Sequence, residues 1–196
     1  MSSAYELVMT KPRLTRAELG LPVDFYHGEE HYRLDISIET DIDQLYRAFF
    51  KVLEDGQAYP QETIDRSAFE KFFFAHYAFV VTAVDRTNED GSRRAVAAFY
   101  IKPNFPGRSA HLANYGLLVE SEFRSKGIGN FMVEQCIRLA KIIGYKALYT
   151  NLVYANNIAS IKACERYGFQ KVGCVPEAGN LKGIGYVDAF QFYKEL

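Results

Sequence analysis

The hydrophobic pattern of the chain becomes regular from residue 32 onward. Apolar and polar residues alternate over 32–38, and this period of two predicts a half-buried strand. Over 42–53 the apolar residues instead recur three and four positions apart, as on one face of a helix. Thr40 or Asp41 is a suitable N-cap for this helix, and Gly56 a suitable end. A strand followed by an amphipathic helix is therefore predicted for 32–56.

Further patterns of the same two kinds continue to the end of the chain. Ser67-x-x-Glu70 predicts the start of a second, Phe-rich helix that ends near His76. The remaining segments predict strands at 78–84, 95–101, 115–120, 147–153, 170–175 and 186–193, and helices at 127–144 and 156–167. This order, β-α-α-β-β-β-α-β-α-β-β, predicts an α/β fold in which helices cover both faces of a mixed sheet of about seven strands.

Residues 1–30 differ from the rest because they show no sustained period. They contain two prolines and two glycines that interrupt regular structure, Pro12, Gly20, Pro22 and Gly28. We therefore expect an irregular arm over 1–30 and one domain over 31–196.

Composition and charge exclude several classes of protein. The 196 residues carry 23 Lys and Arg against 24 Asp and Glu, so no overall basic field attracts nucleic acid or an anionic membrane. The chain has no signal-peptide pattern in its first 20 residues and no apolar run of about 18 residues, so we expect a cytoplasmic protein. Cys136, Cys164 and Cys174 lack metal-ligand spacing and are expected to be reduced thiols, and the four histidines likewise predict no metal site.

The loop Arg124-Ser-Lys-Gly-Ile-Gly129 joins a predicted strand to a predicted helix. Glycines allow backbone N–H groups to approach a ligand closely, and a helix N-terminus favours an anion such as a pyrophosphate. Arg124 and Lys126 add positive charge, whereas a purely structural explanation needs Gly127 and Gly129 only for a tight turn. The loop fits neither the dinucleotide fingerprint nor the Walker A sequence.

The same loop resembles the Arg/Gln-x-x-Gly-x-Gly/Ala signature of the GCN5-related N-acetyltransferases. Residues 156–169, NNIASIKACERYGF, are similar to the Asn-rich helix start and closing Gly-Phe of that family. The element order over 32–193 also resembles the family fold. The resemblance implies that the chain is an acetyltransferase that binds acetyl-coenzyme A.

The resemblance also implies which residues hold the cofactor. In that fold, the strand before the loop carries a bulge and splays away from the next parallel strand, so the pantetheine lies between them. The residues implied here are Leu118 and Val119 through their backbone, Arg124, Ser125, Lys126, Gly127, Ile128 and Gly129 around the pyrophosphate, and Asn157 beside the pantetheine. The residue type also suits Asn157 to a helix cap, a role that Asn156 could take instead.

One position departs from the family pattern. Many members have a tyrosine four residues before the glycine of Gly-Phe, and its hydroxyl protonates the departing thiolate. Here that position is Cys164, and Tyr167 lies about 300° further around the helix and cannot replace it. Direct attack by an amine needs no acyl-carrying thiol, so we expect a structural role for Cys164.

Several longer phrases resemble a narrower group, the proline-analogue N-acetyltransferases that act on L-azetidine-2-carboxylate. The phrases are GQAYPQ at 56–61, FYIKPN at 99–104, LANYGLLV at 112–119, GYK at 144–146, TNLVYANNIAS at 150–160 and VPEAGNL at 175–181. That group also lacks the usual tyrosine. The resemblance implies an uncharged polar pocket for a small amine, with Asn114 and Asn151 as catalytic residues; the structural alternatives are a turn for Asn114 and a strand end for Asn151.

Several groups could act as the general base. Glu120, Glu122 and Asp188 are candidates, a relayed water is another, and the Val119 amide is a candidate oxyanion donor. A polyamine or protein-amine acetyltransferase and a non-catalytic binding module remain alternatives. Homodimers are common in the fold, so a homodimer is a further expectation, and the Phe-rich second helix is either core or a dimer contact.

Overall fold

The computed structural model describes residues 13–196. Its strands are β1 (Val23–His27), β2 (Glu30–Ile36), β3 (Tyr77–Thr87), β4 (Arg93–Pro103), β5 (Leu112–Val119), β6 (Ala147–Tyr154), β7 (Gln170–Leu181) and β8 (Gly185–Glu195). Its helices are α1 (Glu39–Asp55), α2 (Arg66–Phe74), α3 (Ile128–Ile143) and α4 (Ile158–Arg166), with short 3₁₀ turns at Gly107–Ser109 and Ser121–Phe123. From β2 onward, this order matches the predicted one.

The strands form one sheet in the order β1-β2-β3-β4-β5-β6-β8-β7. Neighbouring strands are antiparallel except β5 and β6, which are parallel and are joined through α3. One apolar core lies between the sheet and α3 and α4, and a second lies between the sheet and α1 and α2. The predicted α/β fold with helices on both faces of a mixed sheet is therefore confirmed.

The sheet has eight strands rather than about seven because β1 lies in the segment predicted to be irregular. It pairs with β2 through a tight turn in which Gly28 has φ +60°, and the ring of Phe25 stacks on Phe131 of α3 at 4.8 Å. Leu19 is fully buried against the same core. The prediction of an irregular arm is thus wrong for residues 23–27, and its first twelve residues lie outside the described part of the chain.

The helix starts also differ from the predicted caps. α1 begins after Ile38, and Asp41 accepts a hydrogen bond from the Ile38 N–H at 2.8 Å, so it closes the first turn from inside the helix. α2 is capped by Asp65, whose side chain accepts from the Ala68 N–H at 2.8 Å. Phe69 and Phe73 of α2 are fully buried, which supports the core interpretation of the Phe-rich helix.

No helix within residues 13–196 combines the length and apolar character that a membrane crossing needs.

Candidate functional site

The central feature of the site is a gap between β5 and β6. The two strands pair only at Leu112 with Ala147 and at Ala113 with Leu148, and beyond these residues they diverge. Asn114 is at the point of divergence, where its Nδ2 donates to the Tyr149 carbonyl at 3.0 Å. The sheet is therefore split into a V whose apex is closed by one amide side chain.

The split occurs without the bulge that was expected in β5. The register between β4 and β5 is continuous from Ala97 opposite Val119 to Pro103 opposite Ala113. The irregularity is on the other side of the gap, where β6 shifts register against β8 between Thr150 and Val153. Since β4 holds β5 along its whole length, it is β6 that turns away.

The register also shows which backbone groups face the gap. The Glu120 N–H donates to the Val96 carbonyl, so residues of even number in β5 bond to β4 and those of odd number point toward β6. Leu118 is opposite Ala98 in a bonded pair, so the expectation that its backbone faces the pantetheine is wrong. Val119 does face the gap, as does Leu117, which no sequence motif had indicated.

The loop before α3 has the geometry of an anion site. Gly127 has φ +77° and Ser125 has φ +64°, and the first hydrogen bond of the helix runs from the Phe131 N–H to the Gly127 carbonyl. The amides of Ile128 and Gly129, ahead of that bond, therefore have no acceptor within the helix. A Cβ added at Gly129 would meet no atom within 4 Å, so the protein itself leaves space for a ligand there. The residues present fit a pyrophosphate.

The two basic side chains of this loop have protein partners. Arg124 Nε donates to the Val119 carbonyl at 3.4 Å. Lys126 Nζ contacts Glu30 Oε1 at 2.6 Å, and this hydrogen bond raises the pKa of Lys126. Part of the positive charge that was expected to bind the ligand's phosphates is thus neutralised by a carboxylate from β2.

α4 begins beside the gap at the predicted asparagine. Asn157 caps the helix, because its Oδ1 accepts from the Ser160 N–H at 3.1 Å, and its side chain also lines the cavity described below. Cys164 is buried, and burial raises the pKa of its thiol, which keeps it protonated and poorly nucleophilic. Tyr167 donates to the Asn130 carbonyl at 3.0 Å and so points away from the gap, as its helical position predicts.

A cavity of about 1380 Å³ passes through the V and connects the two faces of the sheet. On the face of α3 and α4, its lining includes Asn157 and Cys164. On the face of α1 and α2, which we term the acceptor chamber, its lining includes Tyr59, Phe72, His76, Tyr100, Lys102, Asn104, Asn114 and Asn151. The fold thus brings both predicted asparagines to one cavity.

The two asparagines differ in their surroundings. Asn114 is 9% exposed, and its Oδ1 accepts from the Tyr100 hydroxyl at 3.4 Å, so both ends of its amide are bonded within the protein. Asn151 is exposed and donates from Nδ2 to Asn104 Oδ1. Asn114 is held rigidly at the apex, whereas Asn151 is free to contact a ligand through its carbonyl oxygen.

The acceptor chamber contains ionisable groups, so the expectation of an uncharged pocket is wrong. Lys102 Nζ donates to the Phe72 carbonyl at 3.2 Å and lies 4.2 Å from the Phe72 ring centre and 4.3 Å from that of Tyr100. Burial lowers the pKa of Lys102 to about 8. Burial also lowers the pKa of His76, with smaller contributions from the charges of Lys102 and Arg13. Neither residue belongs to a sequence motif that predicts a role for it.

The three carboxylates considered as general bases lie elsewhere. Glu120 and Glu122 both bond to Arg94, and Asp188 accepts from the Glu177 N–H at 2.9 Å. None of the three lines the cavity.

The described part of the chain contains no group of three or more His, Cys, Asp or Glu residues that could hold a metal ion.

Comparisons with known proteins agree with this geometry. The model of the acetyltransferase (GNAT) family matches residues 40–169. N-acetyltransferase aca1 of Schizosaccharomyces pombe is 40% identical over 150 residues, which cover 70% of this chain and 72% of aca1.

Solved structures have the same fold. A GCN5-related N-acetyltransferase from Kribbella flavida has a TM-score of 0.76 at 22% identity, over 84% of this chain and 98% of that one. A phosphinothricin acetyltransferase from Sinorhizobium meliloti, solved in complex with acetyl-coenzyme A, has a TM-score of 0.71 at 16% identity, over 83% and 87% of the two chains. Together with the family match over the V and the glycine loop, these findings show that the chain belongs to the GNAT family and is an acetyl-coenzyme A-dependent N-acetyltransferase.

Proposed function

We propose that the acceptor is a small amino or imino acid, and that proline analogues such as L-azetidine-2-carboxylate are preferred. The observation that carries this proposal is the lining of the acceptor chamber, which is aromatic and amide-rich. Glu70 is the sole carboxylate among the cavity-lining residues, and it is exposed at the chamber's edge. A polyamine requires acidic partners for its several charges, so this lining favours an acceptor with one nitrogen.

Groups on the two faces of the V would perform different parts of the transfer. Acetyl-coenzyme A supplies an activated thioester, and the acceptor nitrogen replaces the sulfur while its proton passes to the departing thiolate. The amides of residues 125–129 would hold the pyrophosphate, and the Val119 N–H, which faces the gap, would bond the pantetheine or the developing oxyanion. Because the one carboxylate that lines the cavity, Glu70, is exposed at the chamber's edge, we assign proton removal to a water.

The roles of Asn114 and Asn151 follow from their contacts. Asn114 would act as a positioning residue, since its amide is already bonded at both ends and fixes the apex at which the thioester would lie. Asn151 would contact the acceptor through its oxygen, which accepts no hydrogen bond from the protein within residues 13–196 and lies at the cavity wall. Both roles need the ternary complex that direct transfer implies.

The test is release of free thiol from acetyl-coenzyme A with matched acceptors. We expect stimulation by L-azetidine-2-carboxylate and cis-4-hydroxyproline, and none by a polyamine, a peptide amino terminus or buffer alone. Stimulation by the polyamine or the peptide alone would retain the N-acetyltransferase and refute the proposed acceptor class.

Two further proposals concern the setting of the enzyme. We propose that it acts in the cytoplasm, in agreement with the three free thiols Cys136, Cys164 and Cys174. We also propose that it forms a homodimer. Fractionation of cells and light scattering of the purified protein test these two statements separately.

A further inference from the structure

We propose that Lys102, together with His76 and Asn104, forms a carboxylate-binding subsite in the acceptor chamber. The inference deepens the proposed function, on which it rests, because it names the residues that would distinguish an amino or imino acid from an amine without a carboxylate.

The first observation is that Lys102 is a fixed cation without a counter-ion. Its ammonium group carries three N–H donors, and the Phe72 carbonyl accepts from it at 3.2 Å. Between residues 13 and 196 no carboxylate forms an ion pair with Lys102. The rings of Phe72 and Tyr100 hold the amine in place at 4.2 and 4.3 Å. A half-buried charge without a counter-ion lowers the stability of the free protein, so binding of an anion beside it would be favourable.

The second observation is independent and concerns neutral groups in the same cavity. His76 is 6% exposed, and its Nδ1 is buried without a hydrogen-bond partner in the described chain. Asn104 Nδ2 is likewise buried without a partner, while its Oδ1 is occupied by Asn151. Unpaired buried polar groups are uncommon in folded proteins and call for a ligand or water. A carboxylate can accept hydrogen bonds from several such donors at once.

The position of the subsite suits the reaction. Lys102 is directly opposite Asn114 in the β4–β5 register, so both residues lie at the apex of the V. In an amino or imino acid, one carbon separates the nitrogen from the carboxylate. A carboxylate bound at Lys102 would therefore hold the nitrogen next to the gap that admits the thioester. The lysine charge would also favour the neutral form of that nitrogen, which is the form that attacks.

The experiment compares acceptors with and without the carboxylate in the Lys102→Met and Lys102→Arg variants. With L-azetidine-2-carboxylate we expect Lys102→Met to raise KM roughly 10- to 100-fold, the effect of losing a charge-assisted hydrogen bond, and Lys102→Arg to recover part of the loss. With the carboxamide of L-azetidine-2-carboxylate, the unmodified enzyme and the Lys102→Met variant should have the same KM. Lys141→Met, an exposed lysine on α3, is the control and should match the unmodified enzyme. Equal losses with the acid and the carboxamide, or no loss with either, would overturn the subsite.

Binding calorimetry separates failure of the subsite from failure of the proposed acceptor. L-azetidine-2-carboxylate is titrated into the unmodified protein and into Lys102→Met, both saturated with coenzyme A. Binding that depends on Lys102 supports the subsite even where no thiol is released, in which case only the proposed acceptor is refuted. Equal affinity for both proteins, or no binding to either, refutes the subsite whatever the activity.

Discussion

Replacement of Lys102 by methionine is expected to stabilise the folded protein at neutral pH. Lys102 is held among aromatic side chains, where burial lowers its pKa from 10.5 to about 8. Below pH 8 the amine is protonated in both the folded and the unfolded states, and its burial then opposes folding. Methionine has a similar length and no charge, so it can pack against the same Phe72 and Tyr100 rings without that penalty.

The size of the effect follows from the pKa difference. At 1.36 kcal/mol for each pKa unit, the protonated amine costs the folded state at most about 3 kcal/mol. The two cation–π contacts, each worth about 0.5–1 kcal/mol, and the hydrogen bond to the Phe72 carbonyl, worth about 1 kcal/mol, leave a net cost of about 1 kcal/mol or less. Between pH 8 and pH 10.5 the unfolded chain binds more protons at this site than the folded one does, so the stability of the unmodified protein rises with pH. The advantage of Lys102→Met is therefore largest below pH 8 and is lost toward pH 10.5.

Urea denaturation at pH 7 and pH 9.5 measures this difference. We expect Lys102→Met to unfold at higher urea than the unmodified protein at pH 7, and the gap in unfolding free energy to shrink by about half or more at pH 9.5. Lys141→Met should show the same small difference at both pH values, because its side chain is exposed. A Lys102→Met variant that is less stable at pH 7, or whose gap is the same at both pH values, would refute the argument.

Three other substitutions test the remaining parts of the site. Gly127→Val should weaken coenzyme A binding at least tenfold by calorimetry, because φ is +77° at this position. Gly144→Ala is the control, because Gly144 also has a positive φ, +100°, but lies beyond the other end of α3. This variant should bind coenzyme A with unchanged affinity. Asn114→Ala should lower stability by about 1–3 kcal/mol in urea, because the Tyr149 carbonyl loses its partner, and should lower turnover more than coenzyme A affinity; equal losses in both would mark a purely structural residue. Cys164→Ala should keep most activity, and complete inactivity of a folded variant would restore a chemical role for the thiol.

Local patterns were sufficient to predict most of the fold. The helix period that predicts α1 and the alternation that predicts β2 are signals carried by consecutive residues. β1 was not predicted because it is only five residues long and depends on pairing with β2 and on the stacking of Phe25 against Phe131. That contact joins residues far apart in the chain, so the hydrophobic pattern of consecutive residues does not indicate it.

The site divides in the same way between local and distant determinants. The glycine loop at α3 could be predicted because the need for a positive φ appears directly as glycine at position 127. The partner of Lys126, Glu30, lies 96 residues away, and a sequence pattern does not show such pairs. Lys102 follows an apolar run and resembles a surface charge at a strand end. The packing of α2 over β4 half-buries it against the Phe72 ring, in the cavity that His76 also lines.

The alternation along β5 directs backbone groups toward the gap and side chains of even number toward the acceptor chamber. Backbone groups of Leu117 and Val119 face the gap, so in the proposed binding mode contacts with the cofactor would depend little on side-chain identity. The side chains of even number, such as Asn114, face the acceptor chamber, and at Gly116 an added Cβ would lie 2.6 Å from the Tyr100 ring. Substitution at an even position such as 114 would therefore alter the acceptor chamber and leave the backbone that faces the gap unchanged, whereas position 116 admits only glycine beside Tyr100. Since Tyr59 donates to the Leu117 carbonyl at 2.9 Å, the α1–α2 loop, which lines the acceptor chamber, also holds the edge of β5 that faces the gap.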